Sequence, residues 1–164
     1  MKTDARKSLL LLALDQAFNG KSWNGSTLRG SLRGVTPALA LWRPGPDRPR
    51  IWDYLLHCAY WKHAVRRRIS AAPIEDFPRS PANFPAIPAR PTAAALRADI
   101  RLLETEQRDL RALVERMPAA ELERRLRKAG WRHLEQIHGV AAHDCYHTGQ
   151  IQLIKRLRAR ATRR

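Results

Sequence analysis

The sequence predicts an all-α fold, a four-helix bundle with one long crossover connection. Three observations carry the prediction. Four long segments repeat apolar residues at helical spacing, and no segment shows the strict alternation of a half-buried strand. The longest interruption, from Ala71 to Pro91, holds prolines at 73, 78, 81, 85, 88 and 91, a density no helix interior tolerates. With 164 residues, the chain is long enough to bury a genuine core and reads as a single domain.

The first helix is expected from Asp4 to Phe18, with Leu10, Ala13, Leu14, Ala17 and Phe18 as its inward stripe and Leu9 and Leu12 widening it. Its Leu9–Leu14 run follows Lys2 and Arg6, yet Asp15 and Gln16 cut it short with no small-residue cleavage site after it. It therefore reads as a core helix rather than a leader. Asn19-Gly20 stops it. A polar loop, Lys21 to Ser26, follows and carries Trp23, expected to cap the core or line a pocket. Between Ser31 and Trp42 a short helix fits, with Thr36 as N-cap and Pro37 in its first turn.

Arg43 to Pro49 breaks the chain, and the second long helix runs from Ile51 to about Ser70. Asp53, His57, Tyr60, Trp61 and Ala64 share one of its faces, with Arg66 and Arg67 turned outward. In the proline-rich stretch, Ile74, Phe77, Phe84 and Ile87 alternate with the prolines, so the segment either lids a pocket or simply crosses between bundle helices. The third long helix is expected from Thr92 to Met117 on a stripe of Leu96, Ile100, Leu103, Leu110 and Val114. Pro118 to Leu126 suits one short helix, and Lys128-Ala129-Gly130 leads into the fourth long helix, Trp131 to about Arg160.

Composition narrows the function. An apolar share of 44% excludes a disordered chain, and no run approaches a membrane span, so a soluble, cytoplasmic protein is expected. Two cysteines, Cys58 and Cys145, exclude a disulfide framework and read as structural thiols. The net charge of +16 comes mostly from arginine, in Arg66-Arg67-Arg68, around Arg124 to Lys128, and from Lys155 to Arg164. Such a balance admits nucleic acid as a partner, but the charges are dispersed and no Gly-aromatic or cysteine-rich recognition motif accompanies them.

The chemistry gathers near the C-terminus. His143 and His147 lie four residues apart, one above the other on a helix, and can aim two imidazoles at one point. Gln150 continues that line, flanked by Val140, Tyr146 and Ile154, so the pair faces the interior. Two such histidines alone are also what a core with hydrogen-bonded imidazoles would show. His57 supplies a third if its helix lies beside the fourth, whereas His63, His133 and His138 are on the wrong face or too far along. Three neutral imidazoles with a fourth position left for substrate are the pattern of a catalytic metal site. Nitrogen ligands favour zinc or nickel. Asp53, Asp144 and Gln150 are the expected partners of the imidazole N–H groups. Tyr60, Trp61, Tyr146 and Gln150, with the Phe77–Phe84 loop, are expected to shape a pocket whose basic surroundings suit an anionic thiol or substrate.

The string His57-Cys58-Ala59-Tyr60-Trp61-Lys62, its spacing to His143-Asp144-Cys145-Tyr146-His147-Thr148-Gly149-Gln150-Ile151, and the loop Trp23-Asn24-Gly25-Ser26 together resemble the DinB-like family. The likeness spans a single domain, 1–157, and leaves a basic tail, 158–164. It implies a four-helix bundle holding a divalent metal, nickel or zinc, on His57, His143 and His147. It also implies a small-molecule substrate such as a low-molecular-weight thiol, transferred or hydrolysed, and a homodimer, since relatives are often dimers. The rival expectations are a basic nucleic-acid-binding protein and a metal-binding bundle without catalysis.

Overall fold

The computed structural model describes residues 4–126 and 130–163. The expected turn at Lys128-Ala129 therefore lies outside the described residues, as does Arg164. Six α-helices follow in order: α1 (Ala5–Phe18), α2 (Leu28–Ser31), α3 (Pro37–Leu41), α4 (Ile51–Ile69), α5 (Ala93–Arg116) and α6 (His133–Ala161). A 3-10 turn covers Ala119–Glu123, and among the described residues no strand forms.

Local chemistry sets the starts. Asp4 accepts from the backbone N–H groups of Arg6 and Lys7 at the head of α1, Thr36 from Leu39 at α3, and Thr92 from Ala95 at α5. Pro37 occupies the first turn of α3, as expected. Two starts use a carboxylate one turn inside the helix instead. Asp53 accepts from the backbone N–H of Arg50 at 2.7 Å, and Glu135 from that of Arg132 at 2.6 Å.

Side-chain pairs orient the long helices. Lys7 reaches the carbonyl of Met117 while Arg111 pairs with Asp15, so α1 and α5 run antiparallel. Trp52 bonds Asp99 and Lys62 bonds Gln107, so α4 and α5 run parallel. Arg68 meets Gln136 near one end and His57 meets His143 near the other, so α4 and α6 are antiparallel. The bundle thus cycles α1–α5–α4–α6. Parallel α4 and α5 require the chain to return along about 28 Å of helix, the length of α4. The proline-rich segment makes that crossover.

Two apolar clusters fill the interior. One gathers Phe18, Leu28, Trp52, Leu55, Leu103 and Ile151; the other Leu10, Leu14, Val65, Leu110, Ile137 and Val140. Between them lies a polar layer that the hydropathy pattern does not announce. Lys62 is fully buried, paired with the equally buried Asp144 and donating to Gln107 Oε1 at 2.7 Å. Gln107 in turn donates to the carbonyl of Leu14. Beside it, Glu106 accepts from Arg66 and sits 3.2 Å from His63 Nδ1. Arg66, expected to turn outward, is drawn inward by this carboxylate.

Three other expectations fail on packing. Leu9 and Leu12 are 65% and 50% exposed, because they lie off the face that α1 packs against α5 and α6. Trp23 is 93% exposed, capping nothing: its loop is tied down by Asn24 and Ser26 to Cys145 and Gln152, which leaves the indole pointing away. Trp131 stands ahead of α6, which begins at His133. At the other end α6 continues to Ala161, so most of the expected tail is helical. Lys155 donates to the carbonyls of Ser31 and Arg33, and Arg158 stacks on Trp42.

Candidate metal centre

α4 and α6 face each other antiparallel, and this brings three imidazoles to one point. His143 Nε2 lies 3.0 Å from His57 Nε2 and 3.0 Å from His147 Nε2. Ligand atoms of all three fall within 4.8 Å of one another. Nitrogens bound tetrahedrally at 2.0–2.1 Å would stand about 3.3 Å apart, so the two separations from His143 need to open by only about 0.3 Å. The other described histidines stay out. His63 belongs to Glu106, His133 is buried far along α6, and His138 faces solvent.

The rings are held by their outer nitrogens. His57 Nδ1 donates to the main-chain carbonyl of Asn83 at 2.6 Å, and His147 Nδ1 donates to Gln150 Oε1 at 2.6 Å. Each bond places the proton on Nδ1 and leaves Nε2 as a lone pair aimed at the cluster. His143 Nδ1 is buried without a partner among the described residues. In the protein alone, a His143 Nε2–H could satisfy one of the two lone pairs facing it, never both. A cation satisfies all three.

Electrostatics favours the same state. Burial, with the neighbouring His147 and His57 and then Lys62, holds the His143 imidazole down to about 3. Burial holds His147 to about 4, against the opposing pull of its Gln150 bond. His57 is also lowered by burial, opposed by Asn83. All three are therefore neutral, the form that binds metal, at neutral pH.

Aromatic rings enclose the cluster. Phe84 stacks on His57 with centroids 4.1 Å apart, and Tyr54 and Tyr146 flank His147 at 4.9 and 5.0 Å. The crossover supplies Phe84 and the Asn83 carbonyl, and Asn83 Oδ1 also accepts from Trp61 Nε1 at 2.9 Å. The proline-rich segment is thus a cover over His57 as well as the crossover between α4 and α5. Asn83 has φ 69°, a left-handed conformation that asparagine tolerates better than most residues.

Of the expected supporting residues, Gln150 alone bonds an imidazole. Asp53 is committed to Arg50, because its place in the first turn of α4 puts the carboxylate over the free N–H at the helix start. Asp144 is turned about 100° from His143 along α6, and Lys62 takes its carboxylate. Cys58 is fully buried behind the cluster, and burial pushes its thiol well above the usual range. Cys58 Sγ, a ring nitrogen of His143 and an oxygen of Asp144 lie within 4.8 Å of one another; Lys62 takes Oδ2 of that carboxylate, and Oδ1 has no partner among the described residues. The residues missed by reading the sequence are Asn83, whose contribution to His57 is a backbone carbonyl, and Tyr54, which flanks His147.

A cavity of about 260 Å³ opens beside His143, walled by Trp61, Val65, Val140 and Trp131 and rimmed by Arg68, Glu135 and Gln136. Of the expected pocket residues only Trp61 lines it. Tyr60 turns the other way, onto Phe77 and a second cavity of about 360 Å³ under the crossover. Tyr146 is 64% exposed, and Gln150 lies behind His147, on the far side of the cluster from the cavity.

The family model described as the DinB superfamily matches residues 22–151, which takes in all three histidines and the crossover. No curated protein and no solved structure matches the chain. None of the described helices is long and apolar enough to cross a membrane.

Proposed function

The chain belongs to the DinB superfamily, and from that premise we propose that it is a divalent-metal-dependent cytoplasmic enzyme acting on a small substrate. His57, His143 and His147 would hold the cation, zinc or nickel by the preference of a three-nitrogen donor set. The observation that carries the reading is the meeting of three Nε2 atoms whose outer nitrogens include two already fixed by Asn83 and Gln150. When bound there, such a metal supplies Lewis acidity, lowering the pKa of a thiol or water and polarising an electrophile.

The remaining work falls to the chain's own groups. Asn83 and Gln150 keep the Nε2 lone pairs of His57 and His147 inward, so that no proton need leave before a cation enters. Phe84 and Tyr54 exclude water from the two rings they cover. Trp61 and Val140 offer an apolar wall to substrate on the side of His143. Transfer of a thiol to a small electrophile, or hydrolysis of one, suits this arrangement, and a homodimer is the expected assembly.

Metal analysis of protein purified without a histidine tag tests the reading. Near one equivalent of zinc or nickel per chain is expected in the wild type, and less than about a tenth of that in His143→Ala. Unchanged metal in the variant would refute the site.

A further inference from the structure

The cavity beside His143 is apolar over most of its wall but carries one charge that nothing nearby neutralises. Building on the metal-site reading, we propose that it selects small amphiphilic anions, with an apolar body between Trp61 and Val140 and a carboxylate or other oxyanion on Arg68.

Arg68 stands in the last turn of α4. Its guanidinium stacks 5.1 Å from the Trp61 ring and donates one hydrogen bond, 3.2 Å, to the neutral Gln136 Oε1. The ring and the amide hold it at the rim while most of its N–H donors remain available. The neighbouring arginines differ: Arg66 pairs with Glu106, Arg67 with Asp76 and Arg79 with Asp99. Among the described residues Arg68 has no carboxylate partner. The one carboxylate in the cavity wall, Glu135, is held by the backbone N–H and the guanidinium of Arg132. The rim is therefore net positive and preorganised, the condition for a charge-assisted, forked contact to an oxyanion.

Geometry sets the size of the ligand. Gln136, which anchors Arg68, and His143 lie seven residues apart on α6, about 10 Å along the helix axis. A ligand bridging them carries its anionic group about 10 Å, or about eight bonds, from the end that meets the imidazoles. A cavity of about 260 Å³ takes an aromatic ring or short chain of that length and little more.

Gly139 offers an independent handle, since a Cβ built there meets nothing within 4 Å. A larger side chain at 139 would enter the cavity without a backbone clash and would remove a helix-interior glycine, which is less favourable there than alanine.

The test is a fluorescence titration, reporting on Trp61 and Trp131, with 5-phenylpentanoate and the neutral 5-phenylpentanol. It is run on full-length protein as purified and after chelation, with metal content measured in each sample. The wild type should bind the carboxylate at least tenfold more tightly than the alcohol, a preference that shrinks as salt rises. In Arg68→Gln the preference should fall below threefold with alcohol binding unchanged, and Arg68→Lys should keep part of it. Gly139→Leu should lose both ligands with undiminished thermal stability. Equal affinities in the wild type, a preference that survives Arg68→Gln, or no binding of either ligand would overturn the proposal. Because Arg68 is read in chelated protein too, failure of the metal site leaves this result interpretable, and the reverse holds.

Discussion

Two polar clusters are buried about a turn apart in this bundle, and they are completed in opposite ways. In the layer formed by Lys62, Asp144 and Gln107, an ion pair and the hydrogen bond from Lys62 to Gln107 join α4, α5 and α6. In the imidazole cluster, two lone pairs converge on a third nitrogen that can donate to only one of them, and the N–H groups of His57 and His147 are turned outward to Asn83 and Gln150. The first balances its charges within the chain, with a single carboxylate oxygen, Asp144 Oδ1, left without a partner among the described residues. The second is a set of acceptors in search of a cation. A buried polar group is not evidence of function; a buried surplus of one kind of group is.

The sharpest way to break that contrast is to remove one partner from the charge-balanced layer. Lys62→Met leaves Asp144 buried without its cation, and loss of one member of a buried pair costs about 3–5 kcal/mol. For a chain of this size that lowers Tm by about 6–20 °C. The double variant Lys62→Met/Asp144→Leu should recover most of the loss. Thermal denaturation of metal-free protein measures both. A single variant as stable as wild type would mean that the ion pair is not the structural element described.

The imidazole cluster should behave the other way, with little effect on metal-free stability and a large effect on metal. Gln150→Leu removes the acceptor that orients His147. Losing such an outer partner typically costs 10–100-fold in metal affinity. Competition against a chromophoric chelator reads that loss, and a Tm within about 2 °C of wild type in the metal-free form would separate it from simple destabilisation.

Acid provides a third comparison. His143 and His147 sit at about 3 and about 4 in the folded chain, against 6.5 for an ordinary imidazole, and His57 is lowered too. Between those values the unfolded chain binds more protons than the folded one. Stability must therefore rise with pH through this window and fall as pH drops below about 6.5. Denaturant melts of chelated protein between pH 7 and 5 should show this slope, above the range of ordinary carboxylates; Asp144, raised by burial, works against it. Replacing all three histidines by alanine should remove their share of the slope and leave that of the buried His133, opposed by Asp144.

The bundle itself was legible in the sequence because each long helix advertises its inner face. Leu10, Leu14, Leu96, Leu103, Leu110 and Val114 were all placed correctly by spacing alone. So were the caps at Thr36 and Thr92. The three histidines were legible as well, two by their one-turn spacing and the third by its place on the second long helix, with the family resemblance pointing to the same set. What did not show were groups whose role depends on a distant partner. Lys62 and Asp144 are 82 positions apart, and nothing local distinguishes Lys62 from a surface lysine. Asp144 was expected at an imidazole because it adjoins His143, yet adjacency on a helix means a different face. The cavity was misplaced for a related reason. Tyr60 and Trp61 are neighbours in sequence, but only Trp61 turns toward α6. Trp131 joins from a segment that reads as helix and is not.

Asn83 offers the finest test of how the crossover serves the cluster, because its two contacts can be separated. Its carbonyl holds His57 and its side-chain oxygen holds Trp61. Asn83→Gly keeps the left-handed backbone and the carbonyl and loses only the bond to Trp61, so metal affinity should change by less than about threefold, within the worth of one neutral hydrogen bond. Asn83→Val cannot hold φ 69° without strain of about 1–2 kcal/mol, and relieving that strain swings the carbonyl away from His57. Its metal affinity should fall by about tenfold, the lower end of what an outer partner contributes. Chelator competition on the two variants decides the matter. If valine binds metal as tightly as glycine, the loop merely covers His57 and does not orient it, and the ring must be held by Phe84 and its own helix.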